Sequence, residues 1–364
     1  MYLQHFGLEK NPFSLSPDPR FLFLTSKHRE ALAALLFAIT EYKGFMVMTG
    51  DAGTGKTTLV RKLLLSIPNT CAQFSVIVNP SLTRSELLES VLMDFGQSDI
   101  PPSKALRLAL FKSLLFRANA DGRTSVIVID EAHLLSADLI EEVRLLSNIE
   151  TPERKLLQII LVGQNELGSL LALDSMRAFK QRIAIRVHID VLSEADVKRY
   201  IQARWNRGLA KHPLPFSDGA VRAIAHCSGG IPRAINVICD AALVNAYGAG
   251  TMFIDVSHID EVAQDLGIPT TSSAAPEPVH VAQTIADVSA PAAEQASVID
   301  RMSSVYGLEG RSLTKRKIAK FWKMSSWFGT AESKAQRHAT ENCGQARAAH
   351  RSEIHVAANQ RRYA

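Results

Sequence analysis

Eight consecutive residues carry the first chemistry legible in this chain. Gly50-Asp51-Ala52-Gly53-Thr54-Gly55-Lys56-Thr57 fit the spacing G-x-x-x-x-G-K-[ST] without deviation. Glycines let the backbone wrap tightly, so that successive N–H groups and the N-terminus of the next helix face an anion. The lysine places a point charge on the terminal phosphate oxygens, and the Thr57 hydroxyl is a ligand for Mg²⁺. Thr58 completes the stretch assigned to the phosphates. An ordinary glycine-rich turn would leave a buried Lys56–Thr57 pair without a partner. The expected ligand is therefore ATP with Mg²⁺.

A second element matches the first. Ser125–Ile129 is an apolar run that ends in Asp130 and Glu131. Alone, such a pair reads as a solvated strand end. With a phosphate loop upstream, Asp130 is expected to hold Mg²⁺ through water, and Glu131 to polarise the attacking water as general base. Ala132 and His133 complete a DEAH string; His133 is read as incidental, a helix cap after the strand. Gln164 stands at the end of another apolar run, where its amide could orient the lytic water or touch the γ-phosphate. The competing reading is a turn residue bonded to its own backbone. Arg177, Arg182 and Arg186 flank the last apolar run. Arg182 is the candidate finger that reaches a neighbouring subunit's ATP, against a plain surface arginine; Arg186 alternates within the run and serves structure. Arg233, after Gly229-Gly230-Ile231-Pro232, could fold back onto the phosphates, or face solvent at its helix start.

Positioning these groups requires strands that end together. The runs Phe45–Thr49, Phe74–Asn79, Ser125–Ile129, Gln158–Gly163 and Ile183–Ile189 read as buried parallel strands. Helical stretches such as Thr57–Ser66, Arg84–Phe95 and Ala137–Asn148 lie between them, so the expected fold is α/β, a doubly wound parallel sheet. From Leu192 to about Leu266 helices take over. Ser193 with Asp196 starts one, Pro232 suits a first turn, and Gly208 and Gly248 read as stops. Expected boundaries are 1–190 for the nucleotide-binding domain, 191–266 for a small helical lid, 267–300 for a disordered linker rich in Pro, Ala, Ser and Thr, and 301–364 for a basic tail.

Composition narrows the class. Of 364 residues, 46% are hydrophobic and 21% charged, with a net charge of +5, as in a water-soluble globular protein. Residues 301–364 carry 13 basic and 4 acidic side chains, leaving 28 basic and 32 acidic in the body; the basicity belongs to the tail. Cys71, Cys227, Cys239 and Cys343 form no C-x-x-C pair, which argues against a zinc site or disulfide framework and fits a reducing compartment. The first residues lack the pattern of a signal peptide, and no apolar run approaches the roughly 18–20 residues that span a bilayer. The expected location is the cytoplasm, with peripheral contact at the inner membrane.

The assembly resembles the AAA+ superfamily, and within it the ExeA-type general secretion pathway protein A group. That resemblance rests on Tyr2-Leu3-Gln4-His5-Phe6-Gly7-Leu8, on Pro12-Phe13-Ser14-Leu15-Ser16-Pro17-Asp18-Pro19-Arg20-Phe21-Leu22 and on His28-Arg29-Glu30-Ala31-Leu32. Ile160-Leu161-Val162-Gly163-Gln164-Asn165-Glu166-Leu167 and Gly230-Ile231-Pro232-Arg233 match further blocks. It implies Lys56 and Thr57 on phosphates and magnesium, Asp130 on the metal, Glu131 as base, Gln164 as first sensor, Arg182 as trans finger and Arg233 as second sensor. It also implies that the Pro-Phe block lines an adenine pocket, and that ATP drives an oligomer building or positioning envelope machinery such as type II secretion or pilus systems. Members acting in secretion commonly continue through a transmembrane helix into a periplasmic, peptidoglycan-binding domain. This sequence shows neither, so that half of the function is not expected of it.

In the tail, Thr314–Lys323 interleaves Lys and Arg with Ile318, Phe321 and Trp322, and Trp327-Phe328 follow. A short amphipathic helix there could meet an anionic membrane, a partner groove or nucleic-acid phosphates, or pack on the body as a solvated tail. The favoured function is an oligomeric ATPase serving secretion or pilus components. One rival is a DNA-directed AAA+ ATPase such as a transposition regulator of the TniB kind, which the acidic body disfavours. Another is a switch that binds ATP without turnover.

Overall fold

The computed structural model describes residues 1–268 apart from Pro17. The expected linker beyond Ile268 and the basic tail, with Ile318, Phe321, Trp322, Trp327, Phe328 and Cys343, lie outside the described residues. In chain order the elements are α1 (Tyr2–His5), α2 (Ser26–Thr40), β1 (Phe45–Gly50), α3 (Lys56–Ser66), β2 (Ala72–Ile77), α4 (Arg84–Asp94), α5 (Lys104–Ala120) and β3 (Thr124–Ile129). There follow α6 (Ala137–Leu146), β4 (Leu157–Val162), α7 (Asn165–Ala172), α8 (Arg177–Lys180), β5 (Ile183–Ile189), α9 (Glu194–Arg207), α10 (Asp218–Ser228), α11 (Pro232–Gly248) and α12 (Val256–Asp265).

All strand pairs are parallel, in the order β2-β3-β4-β1-β5. The chain leaves β1 at one side, crosses to β2, returns through β3 and β4, and hops over β1 to β5. The sheet is thus doubly wound, and its ligand crevice lies beyond the carboxyl ends of the strands. Every residue of β3 and β4 is buried, which is why those runs show no polar alternation. Successive side chains take opposite faces. Phe45, Val47, Ile127, Ile129, Ile159 and Leu161 join Leu87, Phe111 and Ile140 of α4, α5 and α6 in one core. Met46, Met48, Val126, Val128 and Ile160 are buried on the other face, where α2 and α3 lie against β1, β3 and β5. β2 runs from Ala72 to Ile77, earlier than the expected Phe74–Asn79, because Ile77 pairs with Ile129, the last residue of β3.

A second core is helical. Trp205, Ile224, Ile235 and Leu243 of α9 to α11 pack with Ile259 of α12. Phe6, Leu8 and Phe13 from the N-terminal strap belong to the same cluster. Two arginines of α9 hold that strap by its main chain: Arg204 donates from Nε to the Pro12 carbonyl at 2.5 Å, and Arg207 to that of Leu22 at 3.0 Å. The Arg204 guanidinium also lies over the Phe21 ring at 5.1 Å, within cation–π range. Helix starts follow their caps. Ser193 accepts from the Asp196 N–H at 3.2 Å, and Pro232 occupies the first turn of α11. Gly208 caps α9 in a right-handed conformation, and α11 runs through Gly248 to a cap at Ala249. Among the described residues no helix is long and apolar enough to cross a membrane.

Candidate active site

The loop from β1 into α3 carries Gly50 to Thr57, at the carboxyl end of a central strand. Gly53 has φ +81°, and a Cβ there would lie 2.8 Å from the Cβ of Arg233. Only glycine combines that backbone with so close an approach. Thr54, almost fully buried, donates its hydroxyl to the Asp51 carbonyl at 2.8 Å. Ala52 is exposed, while Thr57 and Thr58 in the first turn of α3 are partly so. Lys56 is buried and donates Nζ to the carbonyls of Gly50 and Asp51, each at 2.8 Å. Burial pushes its ammonium below the ordinary lysine range, against the pull of Glu131, Asp130 and Asp51. A phosphate would offset that desolvation with a direct charge.

Across from the loop stands the tip of β3. The Thr57 hydroxyl donates to Asp130 Oδ2 at 2.7 Å, and Asp130 Oδ1 accepts from the Glu131 N–H at 2.9 Å. The Asp130 N–H donates to the Ile77 carbonyl at the end of β2. Thr57 and Asp130 therefore present two hard oxygen donors at one point, the donor chemistry that Mg²⁺ takes when phosphate and water complete its shell. Glu131 has φ +50°, a left-handed backbone that costs a non-glycine residue on the order of 1–3 kcal/mol. Its side chain remains 42% exposed, accessible to water.

The tip of β4 lies alongside. Gln164 opens α7, and its main-chain N–H points at His133 Nδ1 at 3.4 Å. Asn165 Nδ2 donates to Asp51 Oδ1 at 2.6 Å, tying the phosphate loop to this strand end. From the helical cluster, the Arg233 N–H donates to the Gly53 carbonyl at 3.3 Å, with its side chain exposed. Arg182 is engaged elsewhere, donating to Ser147 Oγ at 3.2 Å and to Asn148 Oδ1 at the end of α6. Arg177 and Arg186 are exposed.

Three contributors escaped sequence reasoning. His28 is buried, and its ring bonds the Thr25 hydroxyl at 2.7 Å. Asn165 acts on Asp51 across 114 positions, and no local pattern announces such a contact. His133, read as a helix cap, instead faces β4 and sits 3.4 Å from Glu131 Oε2.

A family model described as an AAA domain matches residues 39–171. General secretion pathway protein A of Aeromonas hydrophila is 42% identical over 255 residues, covering 69% of this chain and 46% of that protein. The chain thus spans under half the length of that relative. The ATP-dependent target DNA activator B of Escherichia phage Mu is 27% identical over 241 residues, covering 64% of this chain and 70% of its own. Among solved structures, the Aeropyrum pernix ORC2 protein superposes with a TM-score of 0.57 at 14% identity, covering 91% of this chain and 92% of its own. Cdc6p from Pyrobaculum aerophilum gives 0.55 at 17%, covering 70% of each chain. At such identity the structural likeness concerns the fold alone.

Proposed function

We propose that the chain, which carries an AAA domain and is similar to general secretion pathway protein A, hydrolyses ATP to ADP and phosphate. The observation that carries this reading is the Thr57–Asp130 hydrogen bond at 2.7 Å beside Lys56 and Glu131. On this reading it would bring a metal site, a phosphate cation and a candidate base around one crevice. Bound Mg²⁺ would neutralise charge on the phosphate oxygens. Lys56 would exchange its two carbonyl partners for the β and γ oxygens. Glu131 would take the proton of the attacking water, and Gln164 would orient that water.

Arg233 is proposed to report the nucleotide to the helical lid, since its main chain already meets Gly53. Arg182 is proposed as the finger acting in trans in a homo-oligomer, which requires it to leave Ser147 and Asn148. The biological role proposed is assembly or positioning of an envelope secretion or pilus system from the cytoplasmic side of the inner membrane. This extends the name of the Aeromonas relative.

A second reading is favoured by the phage Mu relative, of which this chain covers the larger share, 70%. There the ATPase would act on DNA. Steady-state hydrolysis by the wild type and by Glu131→Gln, with and without duplex DNA, tests both. We expect Mg²⁺-dependent turnover indifferent to DNA, and a loss of about 10²-fold or more in the variant with nucleotide binding retained. Unchanged turnover in Glu131→Gln would remove the base assignment. Strong stimulation by duplex, lost at higher salt, would replace the secretion reading by the DNA reading.

A further inference from the structure

We propose that His133 is a positioning residue that couples the β4 tip to the Glu131 carboxylate, deepening the ATPase reading on which it rests. His133 lies in a short 3₁₀ turn, Ala132–Leu134, directly after Glu131, and its side chain is 12% exposed. A helix-capping histidine would bond within its own turn. This ring instead reaches a strand end 31 residues on: the Gln164 N–H stands 3.4 Å from Nδ1. The same Nδ1 stands 3.4 Å from Glu131 Oε2.

Those two neighbours make opposite demands. The Gln164 N–H is a donor and needs the Nδ1 lone pair. The ionised Glu131 carboxylate is an acceptor and needs a proton on Nδ1. One ring nitrogen cannot satisfy both. In the tautomer with the proton on Nε2 the ring holds Gln164, and in the other it holds Glu131. Both separations lie beyond the usual hydrogen-bond optimum of about 2.9–3.0 Å, so each contact is long and readily exchanged for the other. A displacement of the β4 tip of a few tenths of an ångström therefore decides which contact closes. Gln164 occupies that tip, and Asn165 ties it to Asp51 of the phosphate loop at 2.6 Å. Filling of the phosphate site is thereby relayed to the candidate base. When the Gln164 N–H takes the ring, Glu131 is left without an orienting partner; when it withdraws, the ring N–H holds the Glu131 carboxylate in place towards the attacking water.

Two variants separate positioning from bulk. His133→Phe keeps a ring of similar size without nitrogens. His133→Asn places an amide donor and acceptor near the site of Nδ1. The expected result is a fall in kcat of about tenfold or more for His133→Phe, with the dissociation constant for Mg²⁺ and a non-hydrolysable ATP analogue within about twofold of wild type, and recovery of most of kcat in His133→Asn. Wild-type kcat in His133→Phe would overturn the proposal, as would parallel losses of binding and turnover in both variants, the signature of a merely structural role. Should His133→Phe fail to fold, His133→Asn decides alone: near-wild-type kcat supports the coupling, and a tenfold loss with binding intact overturns it. A wild-type chain without turnover would instead fell the ATPase reading itself, and this proposal with it.

Discussion

At the scale of single residues, the site is built from groups held where they are costly. Lys56 and Asp130 are buried, and Glu131 has a left-handed backbone. His28 behind the loop is the quieter case. Burial holds its imidazole below the ordinary histidine value of 6.5, while the hydrogen bond to the Thr54 main chain and the charge of Asp196 favour the protonated form without prevailing. The folded chain therefore takes up this proton less readily than the unfolded one. Between the lowered value and 6.5 the unfolded state binds more protons, so stability falls as pH falls through that window. Urea unfolding at pH 7.5 and pH 5.5 should show wild type losing more stability than His28→Gln. The difference in slope is at most about 1.4 kcal/mol per pH unit, the limit for one proton. Equal pH dependence in the two chains would show that His28 is not the group responsible.

At the scale of elements, the junction between sheet and helical cluster turns on Gly230. It has φ +72°, and a Cβ there would lie 2.2 Å from the Leu192 carbonyl oxygen. The Leu192 N–H donates to the Gly230 carbonyl at 2.8 Å, so neither backbone can retreat without breaking the start of the lid. Gly230→Ala should cost about 2–4 kcal/mol, the sum of left-handed strain and overpacking. Gly248→Ala, where nothing stands within 4 Å of the added methyl, should be neutral or stabilising by up to about 1 kcal/mol. Urea midpoints of the two variants check this, and similar values would contradict it.

The same junction shows what the sequence could and could not say. Gly229-Gly230-Ile231-Pro232 read as a break and a helix start because turn chemistry is local. The buried strands were legible because a strand covered on both faces is apolar throughout. The place of Phe6, Leu8 and Phe13 in the helical core was not, since their partners lie about two hundred residues away and leave no period behind. Arg204 gave no signal either. Its acceptors in the strap are carbonyls, and a carbonyl has no residue type.

At the scale of the whole molecule, these contacts make the phosphate loop a meeting point. Asn165 holds it from β4 through Asp51, and Arg233 from the start of α11 through Gly53. The Thr54 hydroxyl closes it from within on the Asp51 carbonyl. A ligand seated in the loop must disturb or reinforce all three, which is how a small anion could move a lid. The Walker-type spacing and the Asp130–Glu131 pair were readable from types alone, whereas these braces depend on the sheet order that brings β1 beside β4.

On this reading the crevice takes Mg²⁺ and ATP together. Titration of the full chain with ATP, with and without Mg²⁺, alongside Lys56→Ala, tests it most directly. The account predicts Mg²⁺-dependent saturable binding by the wild type, and at least tenfold weaker binding by Lys56→Ala, the loss of one charge-assisted contact or more. Binding indifferent to both magnesium and Lys56 would contradict it.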